Sequence, residues 1–170
     1  MNVRSPGVEV AHIREMDSMS EPYDSTQDTQ DHIARVGSYI YHACDNLEER
    51  ARRHDASKLR SPEKEAFDIL TPRLKGLAYG SEEYKASLKE LKPALDHHYA
   101  HNSHHPEHYK LGVSGMSLFD VVEMLMDWKA ASERHATGDI WQSIEHNWER
   151  FNLSPQLHSI LINTAKEMGW

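Results

Sequence analysis

A single cysteine, Cys44, is all that the 170 residues contain. An internal disulfide is excluded, and a reducing compartment such as the cytoplasm is the expected setting. No apolar run approaches the roughly 20 residues of a membrane span, and no signal peptide is expected because the first residues lack its basic and apolar zones. No stretch alternates apolar and polar residues in the manner of a half-buried strand, and no segment repeats. The helical zinc-protease motif His-Glu-x-x-His is missing. Positive charge is short as well: 19 Lys and Arg stand against 27 Asp and Glu, a net of -8. Residues 1–31 hold two arginines and seven acids, so -5 of that total lies there. This balance disfavours a protein that neutralises extended nucleic acid. It leaves room for a small phosphorylated substrate, whose charge a metal ion and one or two cationic side chains can meet.

What is present reads as helix after helix in one domain with a core of ordinary size. Residues 1–25 carry Ser, Pro and acids without sustained periodicity and read as a flexible acidic arm. Residues 26–170 read as a single all-α domain, a helical bundle. Ile33, Val36, Ile40, Cys44, Leu47 and Ala51 recur at spacings of three and four, the mark of an amphipathic helix, with His32 at the edge of its apolar face. Ser61-Pro62-Glu63 reads as a helix start, a hydroxyl cap followed by proline and an acid. Ala66, Phe67, Leu70 and Leu74 follow it, and Gly76 and Gly80 bracket a turn. Ser81 opens a helix through Leu88, Leu91 and Leu95, which Pro93 is expected to kink or divide. Residues 102–117 read as a loop. The clearest helix spans residues 117–135. Two more follow, one capped near Thr137-Gly138-Asp139 and carrying Trp141, Ile144, Trp148 and Phe151, the other opened by Ser154-Pro155.

Histidine is in excess, with thirteen in the chain and six of them (His97, His98, His101, His104, His105 and His108) within twelve residues. Leu91, Leu95, His98 and Asn102 continue one helical face, which turns His98 inward and leaves His97 and His101 on a flank. Pro106 restricts His105 to extended backbone, so His104 and His105 belong to the loop. Neutral imidazole binds metals and hydrogen-bonds well, so each of these is either a ligand or an ordinary polar contact. His54-Asp55 is equally ambiguous. Neighbours on a helix diverge by about 100°, so the pair serves one ion only at a helix end or through particular rotamers, and otherwise continues a charged surface. Asp120, Glu123 and Asp127 share one helix face, a repulsion of roughly 0.2–0.5 kcal/mol that a bound cation, or Arg134, would reverse. Ser117 to Asp120 matches a capping box. Asp127 is therefore the better candidate ligand, with Asp120 as the alternative.

His32, then His54-Asp55, then a late Asp127, all on helices, resembles the HD-domain superfamily of metal-dependent phosphohydrolases. "HDASK" is similar to the His-Asp-x-x-Lys of several of its branches. "HHYAHNSHH" followed by "EMLMDW" resembles a group of small phage and bacterial HD-like proteins, and the likeness spans residues 30–165. The resemblance implies that His32, His54, Asp55 and Asp127 hold a divalent transition-metal ion (Mn, Fe, Co, Ni or Zn). One ion is expected, and His98, His104 and His105 are the candidates for holding a second. It also implies that Lys58 contacts the substrate phosphate. In that mechanism a metal-activated water attacks the phosphorus of a nucleotide or similar small ester, and Lys58 stabilises the charge that builds up. Asp55 is then catalytic as well as a ligand, and Glu123 orients a ligand or receives a proton. Tyr99, Tyr109, Trp128 and Arg134 are candidates for recognising base or phosphate, with core packing the competing role of the aromatics. Two other functions stay open: oxygen-dependent carbon oxidation by two irons, and a non-catalytic module that captures a nucleotide or partner protein. Assembly with further copies of the chain is compatible with each.

Overall fold

The structure, a computed structural model, describes residues 23–75, 77, 81–134 and 138–170. Among the described residues every regular element is helical, so the all-α expectation holds, and no helix is long and apolar enough to cross a membrane. Most of the expected arm, the Gly76 and Gly80 turn, and Thr137 lie outside the described residues, as do the side chains of Leu74 and Leu88.

The chain divides into two compact units, Met1–Ile40 and Tyr41–Trp170. In the first, the described structure is chiefly the opening stretch of α1 (Thr26–Arg53). The expected apolar stripe is there, and among the described residues Ile33, Val36 and Ile40 are exposed. No residue of α1 is buried, and Ile33 and Ile40 are 63% and 57% exposed.

The second unit continues α1 into a 3-10 turn (Ala56–Leu59), α2 (Glu63–Lys75) and α3 (Glu82–His101). Two further 3-10 turns (Pro106–His108 and Gly112–Gly115) lead to α4 (Leu118–Ser132), α5 (Ile140–Phe151) and α6 (Pro155–Glu167). Its larger core joins Met124, Leu125 and Trp128 of α4 to Ile140 and Ile144 of α5 and Leu161 and Ala165 of α6. A smaller one sets Leu70 of α2 against Leu91 and Ala94 of α3. Each such aliphatic side chain is worth about 1.5–3 kcal/mol when fully buried. Polar ends fix the boundaries. Ser117 and Asp120 form the expected capping box, each side chain bonded to the other's backbone N–H. Asp139 caps α5, and Ser154 caps α6 ahead of Pro155.

Two boundary expectations need correction. Pro93 does not divide its helix, since α3 runs unbroken past it, as α2 does past Pro72. Leu91 and Ala94, packed on Leu70 to either side of Pro93, hold the axis across the lost backbone bond. The helix expected over 117–135 ends sooner, at Ser132, with Glu133 as its cap.

Candidate metal centre

α1 stops at Arg53, and Asp55 takes left-handed backbone, φ 56 and ψ 13. Aspartate tolerates this conformation better than most residues because its short polar side chain can bond locally. The turn resolves the ambiguity of the doublet. Off the helix, the two neighbours no longer diverge: His54 Nε2 lies 3.7 Å from Asp55 Oδ2 and 3.6 Å from Asp127 Oδ1 of α4. Lys58, in the 3-10 turn, reaches back to Asp55 Oδ2 at 2.6 Å.

The end of α3 and the loop after it bring three imidazoles to the other Asp55 oxygen. His98 is 1% exposed, as its place on the Leu91–Leu95 face predicts, and His104 is 2% exposed. His98 Nε2 is 3.2 Å from Asp55 Oδ1 and 2.9 Å from His105 Nε2, while His104 Nε2 is 3.6 Å from Asp55 Oδ1. Asp55 Oδ1 and His104 Nε2 are buried and have no hydrogen-bond partner. A buried polar atom left unsatisfied costs about 1–3 kcal/mol. Four donors each 2.0–2.2 Å from one tetrahedral ion stand roughly 3.3–3.6 Å from one another. The spacing of these atoms is close to that of ligands around a single ion.

Carboxylates behind the rings set their tautomers. Glu63, 0% exposed, accepts from His97 Nδ1 at 2.7 Å, from His98 Nδ1 at 2.9 Å and from Ser57 Oγ at 2.9 Å. Glu123 Oε1 lies 3.0 Å from His54 Nδ1 and 3.2 Å from His104 Nδ1, and its Oε2 accepts from Arg50 at 2.9 Å. With Nδ1 turned to these carboxylates, His98 and His104 aim Nε2 at the centre, the orientation that metal-bound histidines receive from carboxylates. Donor atoms fall into three groups, each within 4.8 Å: Asp55, His98, His104 and His105; His54, Asp55 and Asp127; and His54, His104 and Glu123. Asp55 belongs to the first two.

The electrostatics call for positive charge. Asp55, Glu63, Asp120, Glu123 and Asp127 gather around Arg50, Lys58 and the imidazoles. Contacts with Asp127 and Glu123 push His54 up to about 10, so without metal it keeps a proton where a cation is wanted. Burial pushes His105 down to about 3, with His104 and His98 adding to the effect. Burial alone would raise Asp55, but His98 and Lys58 outweigh it and hold the carboxyl well below the usual range. Burial likewise opposes the charge on Glu123, and hydrogen bonds from His104, His54 and Arg50 together outweigh burial and hold its carboxyl well below the usual range. Imidazole with carboxylate suits Mn, Fe, Co, Ni or Zn better than Ca.

Of the residues expected from sequence, the structure gathers His54, Asp55, Lys58, His98, His104, His105, Glu123 and Asp127. His32 is not among them: it lies exposed on α1 within the first unit and belongs to none of the donor groups among the described residues. Asp120 proves structural: it accepts from Arg50 at 2.8 Å, from Ser103 at 2.7 Å and from Tyr109 at 2.9 Å. Arg50, not the exposed Arg134, offsets the acidic stripe of α4. Trp128 belongs to the core, stacked on Phe151, and Tyr99 stands edge-on to His105. Arg50 and Glu63 were missed. Glu63 carried a signal, an acid at a helix start, that capping explained away.

Two cavities open on the centre from different sides. One of about 520 Å³ is polar, with Arg53, Arg60, Ser57 and His101 near His104 and Glu123. The other, about 480 Å³, is walled by Leu47 and Ala51 of α1 and Val122, Met126 and Ala130 of α4, with His54 and Asp127 on its wall.

Residues 21–167 match the model of a family described as "Family of unknown function (DUF5662)", and the chain belongs to that family. No curated protein and no solved structure matches it.

Proposed function

We propose that this protein is a metal-dependent phosphohydrolase acting on a nucleotide or similar small phosphate ester. The observation that carries the reading is the pair of buried, partnerless atoms Asp55 Oδ1 and His104 Nε2, set among imidazoles at ligand spacing. Asp55, His98, His104 and His105 are the donors for one ion, and His54, Asp55 and Asp127 for another. The likeness of His54-Asp55, Lys58 and Asp127 to HD-domain phosphohydrolases supports the same chemistry. When bound, a divalent ion supplies Lewis acidity toward a phosphoryl oxygen and lowers the pKa of a water. The chain's own groups do the rest. Glu63 and Glu123 hold the rings with Nε2 inward. Lys58, beside Asp55, neutralises charge that develops on phosphoryl oxygens. Arg53, Arg60 and His101 line the polar cavity, whose 520 Å³ admits a mononucleotide and offers cations to its phosphate.

The test is phosphate release from nucleoside mono-, tri- and cyclic phosphates by protein loaded with Mn, Co, Ni or Mg. Release is expected, falling by roughly 100-fold or more in Asp55→Asn. No release with any metal, or an unchanged rate in Asp55→Asn, overturns the proposal. The sharing of Asp55 between two donor groups favours a two-ion centre and supports a second reading, oxygen-dependent oxidation of carbon by two irons. Metal analysis after anaerobic purification decides it, since less than two irons per chain excludes that chemistry.

A further inference from the structure

The groove of about 480 Å³ between α1 and α4 plays no part in the chemistry described above. Its walls are two apolar stripes within the second unit. Leu47 and Ala51 stand four residues apart on α1, and His54 follows three residues later at the helix end. Val122, Met126 and Ala130 repeat at four on α4, with Asp127 three residues before Ala130. Residues at these spacings share a helix face. Each stripe therefore runs into one member of a donor group, and His54 Nε2 meets Asp127 Oδ1 at 3.6 Å. We propose that the groove is a binding site for the aliphatic chain of a phosphate monoester, held with its phosphate toward His54, Asp127 and Lys58.

The lining selects the occupant. Leu47, Val122 and Met126 belong to neither core and stay half-buried along the groove. Among the described residues no aromatic ring, hydroxyl or carboxamide lines it. A nucleobase there would find no ring to stack on and no group matched to its edge. Saturated carbon needs neither. An extended peptide would set unpaired backbone amides against the same walls, which is costly. Polar side chains are confined to Arg50, His54, Glu123 and Asp127, and Arg50 is committed to Asp120 and Glu123 at 2.8 and 2.9 Å. Positive charge for an anionic head lies past them: Lys58 Nζ is 2.6 Å from Asp55 Oδ2, itself 3.7 Å from His54 Nε2. The fitting ligand is thus apolar along its length and anionic at one end, as an alkyl phosphate is.

The polar cavity and the groove then admit different esters to one centre, nucleotides beside Arg53 and Arg60 and alkyl phosphates beside Met126. The seat of the phosphate rests on the metal-dependent function proposed above. Burial of the chain in the groove does not, and the two are measured separately.

The full chain is titrated calorimetrically with butyl-, hexyl- and octylphosphonate, whose carbon–phosphorus bond resists hydrolysis. Affinity is expected to rise about two- to fourfold with each methylene, with or without manganese, because the gain belongs to the groove. Ala130→Trp and Ala51→Trp each fill the groove from an exposed position on opposite walls. Either is expected to flatten the series while leaving the circular dichroism spectrum unchanged. A flat series in the wild type, whether residues 1–22 or nothing fills the groove, overturns the proposal. So does a slope that both variants retain, or one that appears only on dilution, which would put a second copy of the chain in the groove. Metal-loaded protein is expected to release phosphate from octyl phosphate. Release from nucleotides alone sets the chain away from the centre and overturns the proposal. A slope that persists with no release from either ester keeps the groove and overturns the hydrolase reading instead.

Discussion

α1 and α4 carry the same periodic signal and meet opposite fates. Both repeat apolar residues at three and four. α4 buries Met124, Leu125 and Trp128 against α5 and α6, whereas α1 buries nothing. Periodicity says which face of a helix is apolar. It does not say what covers that face, or whether the cover comes from the same chain.

Asp120→Asn on α4 should show the largest effect, about 3–5 kcal/mol at pH 7 by urea unfolding, because the neutral amide weakens the charge-assisted bonds from Arg50, Ser103 and Tyr109 at once. The sign with pH follows. Burial would raise Asp120, but Ser103, Ser117 and Tyr109 outweigh it and hold it well below the usual carboxylate range. A carboxyl depressed by folding stabilises the native state above the unfolded value and loses that contribution as pH falls through and below it. Wild-type stability should therefore drop on acidification below about pH 5, and Asp120→Asn should flatten that slope. Leu125→Ala should cost about 2–5 kcal/mol by the same measurement. Glu63→Gln should leave the fold in place and weaken metal binding about 10–100-fold in a chelator competition, because the substitution removes the carboxylate that orients His98. Ile33→Ala, on the exposed face of α1, should be smallest, within about 0.5 kcal/mol by the same measurement. An Ile33→Ala cost equal to that of Leu125→Ala would break the contrast between the two helices.

The local part of this molecule was legible. Spacing placed the helices, the Leu91–Leu95 face turned His98 inward, and the Ser117–Asp120 cap was visible as a motif. The non-local part was not. Arg50 meets Asp120 across 70 residues, and Glu63 meets His98 across 35, and no local pattern links such partners. Proline misled in α3 because its penalty is local, while the packing on Leu70 that overrides it is tertiary.

The left-handed backbone at Asp55 gives one residue two duties. It halts α1, and its two oxygens serve both donor groups. Were the helix to overrun by a single residue, the carboxylate would swing about 100° around the axis, and both groups would lose their common member together. A chain misfolded in this way would keep nearly all of its secondary structure while dispersing the donor groups. Under the proposed function, metal uptake would report on helix termination more sharply than any measure of helix content.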